Sequence, residues 1–352
     1  MKECILYEKP EEDKVKCLAC KHYCVIQEGN TGICGVRQNK DGKLFLLVYG
    51  KASAANIDPI EKKPLYHFLS GTSIFSIGTV GCNFGCTFCQ NWDISQVTRE
   101  LRLKLIKEKK QNLTEVEVSK YRYELSPEKI VKSCLENNIP SVAYTYNEPI
   151  IFFEYLYDTA ILARKKGIKN VMVSNGYESK ESLEKLKECI DGINVDLKSF
   201  NEEFYKKNCQ AKLENVLETI KEIYKSKIWL EITTLIIPEH NDSKEELKKI
   251  AEFIADIDKN IPWHISAFHP DYKMKDLPRT SHEKLIEAFN IGKKAGLKYI
   301  YVGNIIDDER SSTYCPKCNE ILIKRAGFSV SIENFKDGEC IKCNEKIKGV
   351  WK

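Results

Sequence analysis

Between residues 70 and 305, short apolar runs alternate with segments whose apolar residues recur every three or four positions. The runs are Ser73–Thr79, Ser141–Tyr146, Asn170–Ser174, Gly192–Leu197, Ile228–Ile237, Trp263–Phe268 and Lys298–Val302, each of a length that suits a buried strand. Helical spacing marks Pro127–Asn137, Ser179–Cys189, Leu213–Lys225, Ser243–Ile257 and Ser281–Ala295. Ser126 is a suitable N-cap, and Pro127 fits the first helical position, where no backbone N–H is needed. Strands joined through helices run parallel, because each crossover returns to the same edge. The expected fold class is therefore α/β, a full or partial (β/α) barrel. A doubly wound open sheet is the alternative that the rhythm leaves open.

The rhythm fails in three places. Residues 1–69 form a Cys-rich module and a connecting segment, with turn pairs Gly29-Asn30 and Asp41-Gly42 and a hairpin strand expected at Lys43–Tyr49. Residues 306–352 form a second Cys-rich module, so the expected domains are 1–69, 70–305 and 306–352. Arg99–Glu124 carries 8 Lys/Arg and 5 Asp/Glu in 26 residues. It reads as a solvated helix or mobile loop, with a lid or docking element as the sharper alternative.

Composition narrows the class. Among 352 residues, 55 Lys+Arg face 51 Asp+Glu, a net charge of +4, and 42% are hydrophobic. That supplies a core and excludes a disordered chain. The balance opposes a nucleic-acid coat or a polybasic membrane anchor. No apolar run approaches the roughly 18 residues of a membrane span, and Met1–Lys9 lacks a signal-peptide core. The expectation is a cytoplasmic protein without membrane contact. The 15 cysteines are then read as metal ligands, catalysts or buried thiols, because a reducing cytosol disfavours disulfides.

Position separates these roles. Cys82-x3-Cys86-x2-Cys89 follows the first core strand, with Gly81 and Gly85 available for tight turns. Three close thiolates hold three irons of a [4Fe–4S] cube. With no fourth cysteine beside them, one iron keeps an open site, which is the mark of chemistry. Zinc completed by a distant ligand is the alternative, but zinc favours C-x2-C knuckles.

Cys82-x3-Cys86-x-Phe88-Cys89 resembles the signature of the radical S-adenosylmethionine (SAM) enzymes. The resemblance implies that the open iron binds the amino and carboxylate groups of SAM, and that one electron from the cluster releases a 5′-deoxyadenosyl radical. It also implies roles at four strand ends. Glu148, in Tyr144-Thr145-Tyr146-Asn147-Glu148-Pro149, stands where the family's Gly-Gly-Glu-Pro receives the methionyl ammonium, although this chain lacks both glycines. Capping of the next helix is the plain reading of Glu148. Ser174 and Asn175 match a ribose-contacting segment, with Val173 where the pyruvate formate-lyase activating branch has Asp; an Asn175-Gly176 turn is the alternative. Asp196-Leu197-Lys198 resembles that branch's Asp-Leu-Lys, with Lys198 facing the methionyl carboxylate; an Asp–Lys ion pair is the structural reading. Phe268-His269 matches its Phe-His, with His269 near the nucleoside; a satisfied core histidine is the plain reading.

Nearly the whole chain is similar to the radical SAM enzyme of the AmmeMemoRadiSam system. The carrying residues include Asp58–Phe68, Cys89-Gln90-Asn91-Trp92 and His269–Met274. The resemblance implies companion Memo-like and AMMECR1-like proteins. Glycyl-radical activation, suggested by Asp196-Leu197-Lys198, is the alternative activity. Either implies a protein or other large substrate, and the low potentials of such clusters imply a ferredoxin or flavodoxin reductant. A non-catalytic zinc or nucleic-acid-binding protein is the reading from a different class.

Cys315-x2-Cys318 and Cys340-x2-Cys343 read as two knuckles of a zinc ribbon, a staple for a segment too short to build its own core. A rubredoxin-like iron site uses similar spacing. Cys17, Cys20, Cys24 and Cys34 read as zinc or an auxiliary cluster, the C-x2-C half favouring zinc. Cys4, Cys134 and Cys189 read as buried thiols, and Cys209 also as a candidate radical relay. His67 is read either as packing under the cluster or as part of a domain-joining run.

Overall fold

The seven apolar runs form strands in the computed structural model, which describes residues 1–352. They are β1 (Ser73–Gly78), β2 (Ser141–Tyr144), β3 (Lys169–Ser174), β4 (Gly192–Asp196), β5 (Trp229–Ile236), β6 (Trp263–Ala267) and β7 (Ile300–Gly303). Most of their residues are buried, as parallel strands covered on both faces require. Seven helices are of seven residues or more. They are α1 (Val97–Lys107), α2 (Pro127–Glu136), α3 (Phe153–Arg164), α4 (Lys180–Leu186), α5 (Leu213–Lys225), α6 (Lys244–Ile257) and α7 (His282–Lys294). Ser126 caps its helix as expected, and Ser179, Ser243 and Ser281 do the same for theirs: each accepts the N–H three residues on, at 3.0–3.4 Å.

The chain divides into two compact units, Met1–Asp58 with Ile74–Asp191, and Pro59–Ser73 with Gly192–Lys352. In the first, β1, β2 and β3 pair in parallel, with Val142 opposite Phe75 and Asn170. In the second, β4 to β7 pair in parallel, with Val195 opposite Ile232 and Ile265 opposite both Thr234 and Val302. Within each unit, strand order follows chain order. Parallel pairing in chain order, with a helix in most of the crossovers, is the repeating unit of a (β/α) barrel.

The N-terminal residues of the first unit build small antiparallel sheets. Lys43–Leu46 pairs with Arg37–Lys40 and with Lys2–Glu3, the expected hairpin. Arg37 is buried and holds Glu154 of α3 through two bonds of 2.9 and 2.8 Å, with a third, at 3.2 Å, to Ile151 O. The charged stretch takes the helical reading. It gives most of α1, the short helix Thr114–Ser119 and the strand Tyr123–Glu124, which pairs with Lys51–Ala52. Thr98 anchors α1 by donating to Cys34 O at 2.7 Å.

In the second unit, residues 59–73 pack with the C-terminal module. Buried Glu231 on β5 accepts from the N–H of Tyr66 and of His67, from Trp229 Nε1 and from His264 Nε2. His67 Nε2 meets the Tyr301 hydroxyl at 2.6 Å, and its Nδ1 meets Lys348 O at 2.8 Å. His67 is therefore part of a joining run within this unit. Burial lowers its pKa to about 4, so it is neutral. Arg325, also buried, lies over the Tyr66 ring at 4.1 Å and donates to Tyr66 O and to Ser70 Oγ.

Candidate active site

β1 leads into the three-cysteine loop. Gly81 there has φ +96°, and a Cβ on it would lie 2.8 Å from Cys34 O and from Thr98 Oγ1, so only glycine fits. Cys82 and Cys86 are buried and Cys89 is half-buried. Phe84 N–H donates to Cys82 Sγ at 3.4 Å, and Cys89 Sγ lies 3.1 Å from Ser95 Oγ. Burial, with the nearby Glu148 carboxylate adding to it, pushes the Cys82 thiol well above its ordinary value. A thiolate in this place therefore needs a positive partner such as a metal. Phe84 and Phe88 are buried in the same loop.

Asn147 clamps the loop from the end of β2. Its Oδ1 accepts Thr79 N–H at 3.2 Å, and its Nδ2 donates to Gly81 O at 2.7 Å and to Thr79 Oγ1 at 3.0 Å. Tyr146 beside it holds φ +70°, a strained setting for a bulky residue. Its hydroxyl donates to Asp58 at 2.8 Å. This chain thus turns the corner with a tyrosine and a clamping asparagine where the related motif has two glycines.

Glu148 is buried at the same strand end. Its Oε1 accepts Ile150 N–H at 3.1 Å, which is the expected capping contact, and its Oε2 accepts Asn175 N–H at 2.8 Å. Ser174 Oγ lies 3.1 Å from Glu148 Oε1 and 2.5 Å from Glu178 Oε1. One hydroxyl proton cannot serve two carboxylates, so the arrangement favours a proton on the acidic pair. Burial first, and repulsion from Glu178 second, push Glu148 up to about 8, and burial also raises Glu178. A cation at this point would replace the proton. Asn175 Nδ2 reaches on to Asn83 Oδ1 at 2.8 Å.

In the second unit, Lys198 Nζ meets Asp196 Oδ2 at 2.8 Å. The pair is only partly buried, so its own contribution to stability is small. His269 is half-buried and makes no side-chain hydrogen bond, unlike His67 and His264. It is not the satisfied core histidine of the plain reading. Cys315, Cys318, Cys340 and Cys343 converge with all four sulfurs within 4.8 Å of one another, so a Cys-rich cluster does stand at the C-terminus. In the first unit, Cys17, Cys20, Cys24 and Cys34 line one pocket. Cys4, Cys134, Cys189 and Cys209 are each buried.

Three residues of this neighbourhood carried no signal in the reading of the chain: Asn83, Asn147 and Glu178. All are polar residues in loops, and their partners lie 4 to 92 positions away. Glu178 directly precedes the cap Ser179, the one local hint of a strand-to-helix turn.

A parallel strand ending in a three-cysteine loop, with a buried carboxylate at the next strand end, is the arrangement that the resemblance to radical SAM enzymes leads one to expect. The Radical SAM superfamily model matches residues 76–254, and the chain belongs to that superfamily. It is 43% identical over 350 residues to an uncharacterized protein of Methanocaldococcus jannaschii, covering 99% of both chains. It is 24% identical over 221 residues to the pyruvate formate-lyase-activating enzyme of Clostridium pasteurianum, covering 58% of this chain and 83% of that one. A crystal structure of a domain of pyruvate-formate lyase-activating enzyme from Bacteroides vulgatus aligns with TM-score 0.42 at 20% identity, over 46% of this chain and 98% of that one. The family is enzymatic, and membership implies a [4Fe–4S] cluster and SAM. The donor set of Cys82, Cys86 and Cys89 fits such a group: three sulfurs from one largely buried loop, with a backbone N–H already on one of them. No helix is long and apolar enough to cross a membrane.

Proposed function

We propose that Cys82, Cys86 and Cys89 ligate the [4Fe–4S] cluster and that Glu148 receives the SAM ammonium. When bound, cluster and cofactor together supply a 5′-deoxyadenosyl radical for hydrogen abstraction from a macromolecular substrate. The observation that carries this is the clamped three-thiol loop, held by Asn147 next to a buried carboxylate that lacks a cation. Phe88 packs the loop, and Ser174 and Asn175, which hold Glu148 in place, would also contact the ribose. Asp196, Lys198 and His269 keep the cofactor roles that the resemblance gives them. Zinc is assigned to Cys315, Cys318, Cys340 and Cys343.

The similarity to a pyruvate formate-lyase-activating enzyme supports a protein substrate and a low-potential ferredoxin or flavodoxin as reductant. Within that class we favour the AmmeMemoRadiSam system, with Memo-like and AMMECR1-like companions, on the motifs Asp58–Phe68 and His269–Met274. Glycyl-radical activation is the second reading, favoured by Asp196-Leu197-Lys198.

The test is anaerobic reconstitution followed by dithionite and SAM, with 5′-deoxyadenosine measured. Cleavage is expected, and Cys86→Ala is expected to abolish it. A fully loaded protein that never cleaves SAM, alone or with either set of candidate partners, overturns the reading. Stimulation by a glycyl radical enzyme, and not by the two companions, selects the second reading.

A further inference from the structure

The two four-cysteine sets differ in geometry. A zinc ion held by four thiolates, with Zn–S of about 2.3 Å, brings the sulfurs about 3.8 Å apart. At the C-terminus, Cys315 and Cys343 are 3.5 Å apart and Cys318 and Cys340 are 3.6 Å apart, the spacing of a single ion. The N-terminal thiols do not converge in this way. They stand around a pocket and are close enough to influence one another electrostatically in every pairing. The three-thiol loop is likewise not drawn together to single-ion spacing.

Two further residues line that pocket, and each presents an unused donor. Arg37 is 2% exposed; its two terminal nitrogens are taken by Glu154 and Ile151, while its Nε has no partner. Asn83 is fully buried, and its Nδ2 has no partner while its Oδ1 is taken by Asn175. An unpaired buried N–H costs about 1–3 kcal/mol, so a ligand that accepts from both is expected. Four thiolates around one zinc offer few acceptors beyond the ligands themselves. The bridging sulfides of an iron–sulfur cluster offer several, and N–H groups aimed at them tune its potential.

We infer that Cys17, Cys20, Cys24 and Cys34 hold a fully thiolate-ligated iron–sulfur cluster, against the zinc that their C-x2-C half favours, and that it is the entry point for electrons. Asn83 is the link. It lines this pocket, and it directly follows Cys82 in the chain. Cys34 O also accepts from Thr98, and both groups crowd Gly81 of the same loop. One electron from a low-potential donor protein reduces the N-terminal cluster. It then passes to the cluster on Cys82, Cys86 and Cys89, and the N-terminal cluster returns to its oxidised state. This second step rests on the proposed function; the existence of the cluster does not.

The test separates the two. The full chain carrying Cys82→Ala, Cys86→Ala and Cys89→Ala is reconstituted anaerobically, and its iron, zinc and acid-labile sulfide are counted. We expect iron and sulfide in equal amounts, at least about two of each per chain. Zinc in both four-cysteine sets with no sulfide overturns the inference. Because multiple substitutions could disturb folding, Cys24→Ser, at the half-exposed ligand, is made alone in the otherwise unchanged chain. It is expected to alter one of two overlapping reduced-cluster EPR signals. It is also expected to lower the ratio of protein-donor-driven to dithionite-driven SAM cleavage about tenfold, a change of about 1.4 kcal/mol in the donor-dependent barrier. A single EPR signal, identical in the parent and in Cys24→Ser, refutes the cluster. Two signals with an unchanged ratio refute the relay.

Discussion

Asn175 Nδ2 donates to Asn83 Oδ1 at 2.8 Å, tying the end of β3 to the residue that follows Cys82. The bond is buried at both ends and spans 92 positions. Asn175→Ala removes the donor and leaves Asn83 Oδ1 buried without it, at a cost of about 1–3 kcal/mol. The loop thiols are untouched. The expected outcome is unchanged iron content, a lower melting temperature and weaker SAM binding. Iron analysis, thermal unfolding and equilibrium dialysis check the three parts.

The acidic pair Glu148 and Glu178 gives the protein without cofactor a pH dependence of definite sign. Glu148 is raised from its ordinary 4.5 to about 8 in the folded protein. The folded state therefore binds the proton more tightly than the unfolded chain. The stability this contributes is complete below about pH 4.5 and is lost as pH rises towards 8. Glu178→Gln removes the repelling carboxylate, so the decline should shrink. Melting temperatures between pH 5 and 8, for both proteins, decide it. A binding ammonium displaces the same proton. Calorimetry of SAM binding in buffers of different ionisation enthalpy should therefore show proton release, smaller in Glu178→Gln.

Arg325 is buried among Tyr66 O, Ser70 Oγ, Ser311 O and Thr313 Oγ1, with the Glu61 carboxylate 3.7 Å away. Arg325→Leu strands that carboxylate in the core and should cost about 3–5 kcal/mol. Replacing Glu61 by Gln in the same chain should recover part of the loss, as denaturant titration of the single and double variants will measure.

The C-terminal ribbon packs Trp351 edge-on against Phe335, with ring centroids 4.6 Å apart. If its four thiols hold zinc, a chelator or Cys318→Ser should loosen residues 313–352 and shift tryptophan emission. Cys318 is the exposed member of the set, so the substitution itself disturbs little packing. Emission should be restored by adding zinc back to the chelated protein.

The strands were legible because strands buried on both faces read as unbroken apolar runs, and five of the helices because their apolar residues recur every three or four positions, the cap Ser126 being legible for one of them. Helix α3 escaped detection for a physical reason. Phe153, Glu154, Tyr155, Leu156, Thr159, Ala160 and Ala163 are buried, and the partly exposed face carries Tyr157, Ile161 and Leu162, so apolar residues surround the helix and set no period. Its glutamate is neutralised by Arg37, 117 positions away. The three-cysteine loop was legible because its ligands lie together in the chain. Asn147 and Glu178 were not, because nothing in a local pattern says that one clamps a loop and the other shares a serine with Glu148.

The contact of His67 with Lys348 spans 281 positions. Translation at about 5–20 residues per second separates the two ends by roughly 15–55 s. Through that interval residues 59–73 exist without the strand and ribbon that cover them, and Tyr66, His67 and Phe68 are exposed aromatic surface. The first unit can close around residues 74–191 while it waits. The segment is therefore made early and completed last, and loss of the chain from Lys348 onward would leave the His67 ring without its carbonyl partner and without Trp351.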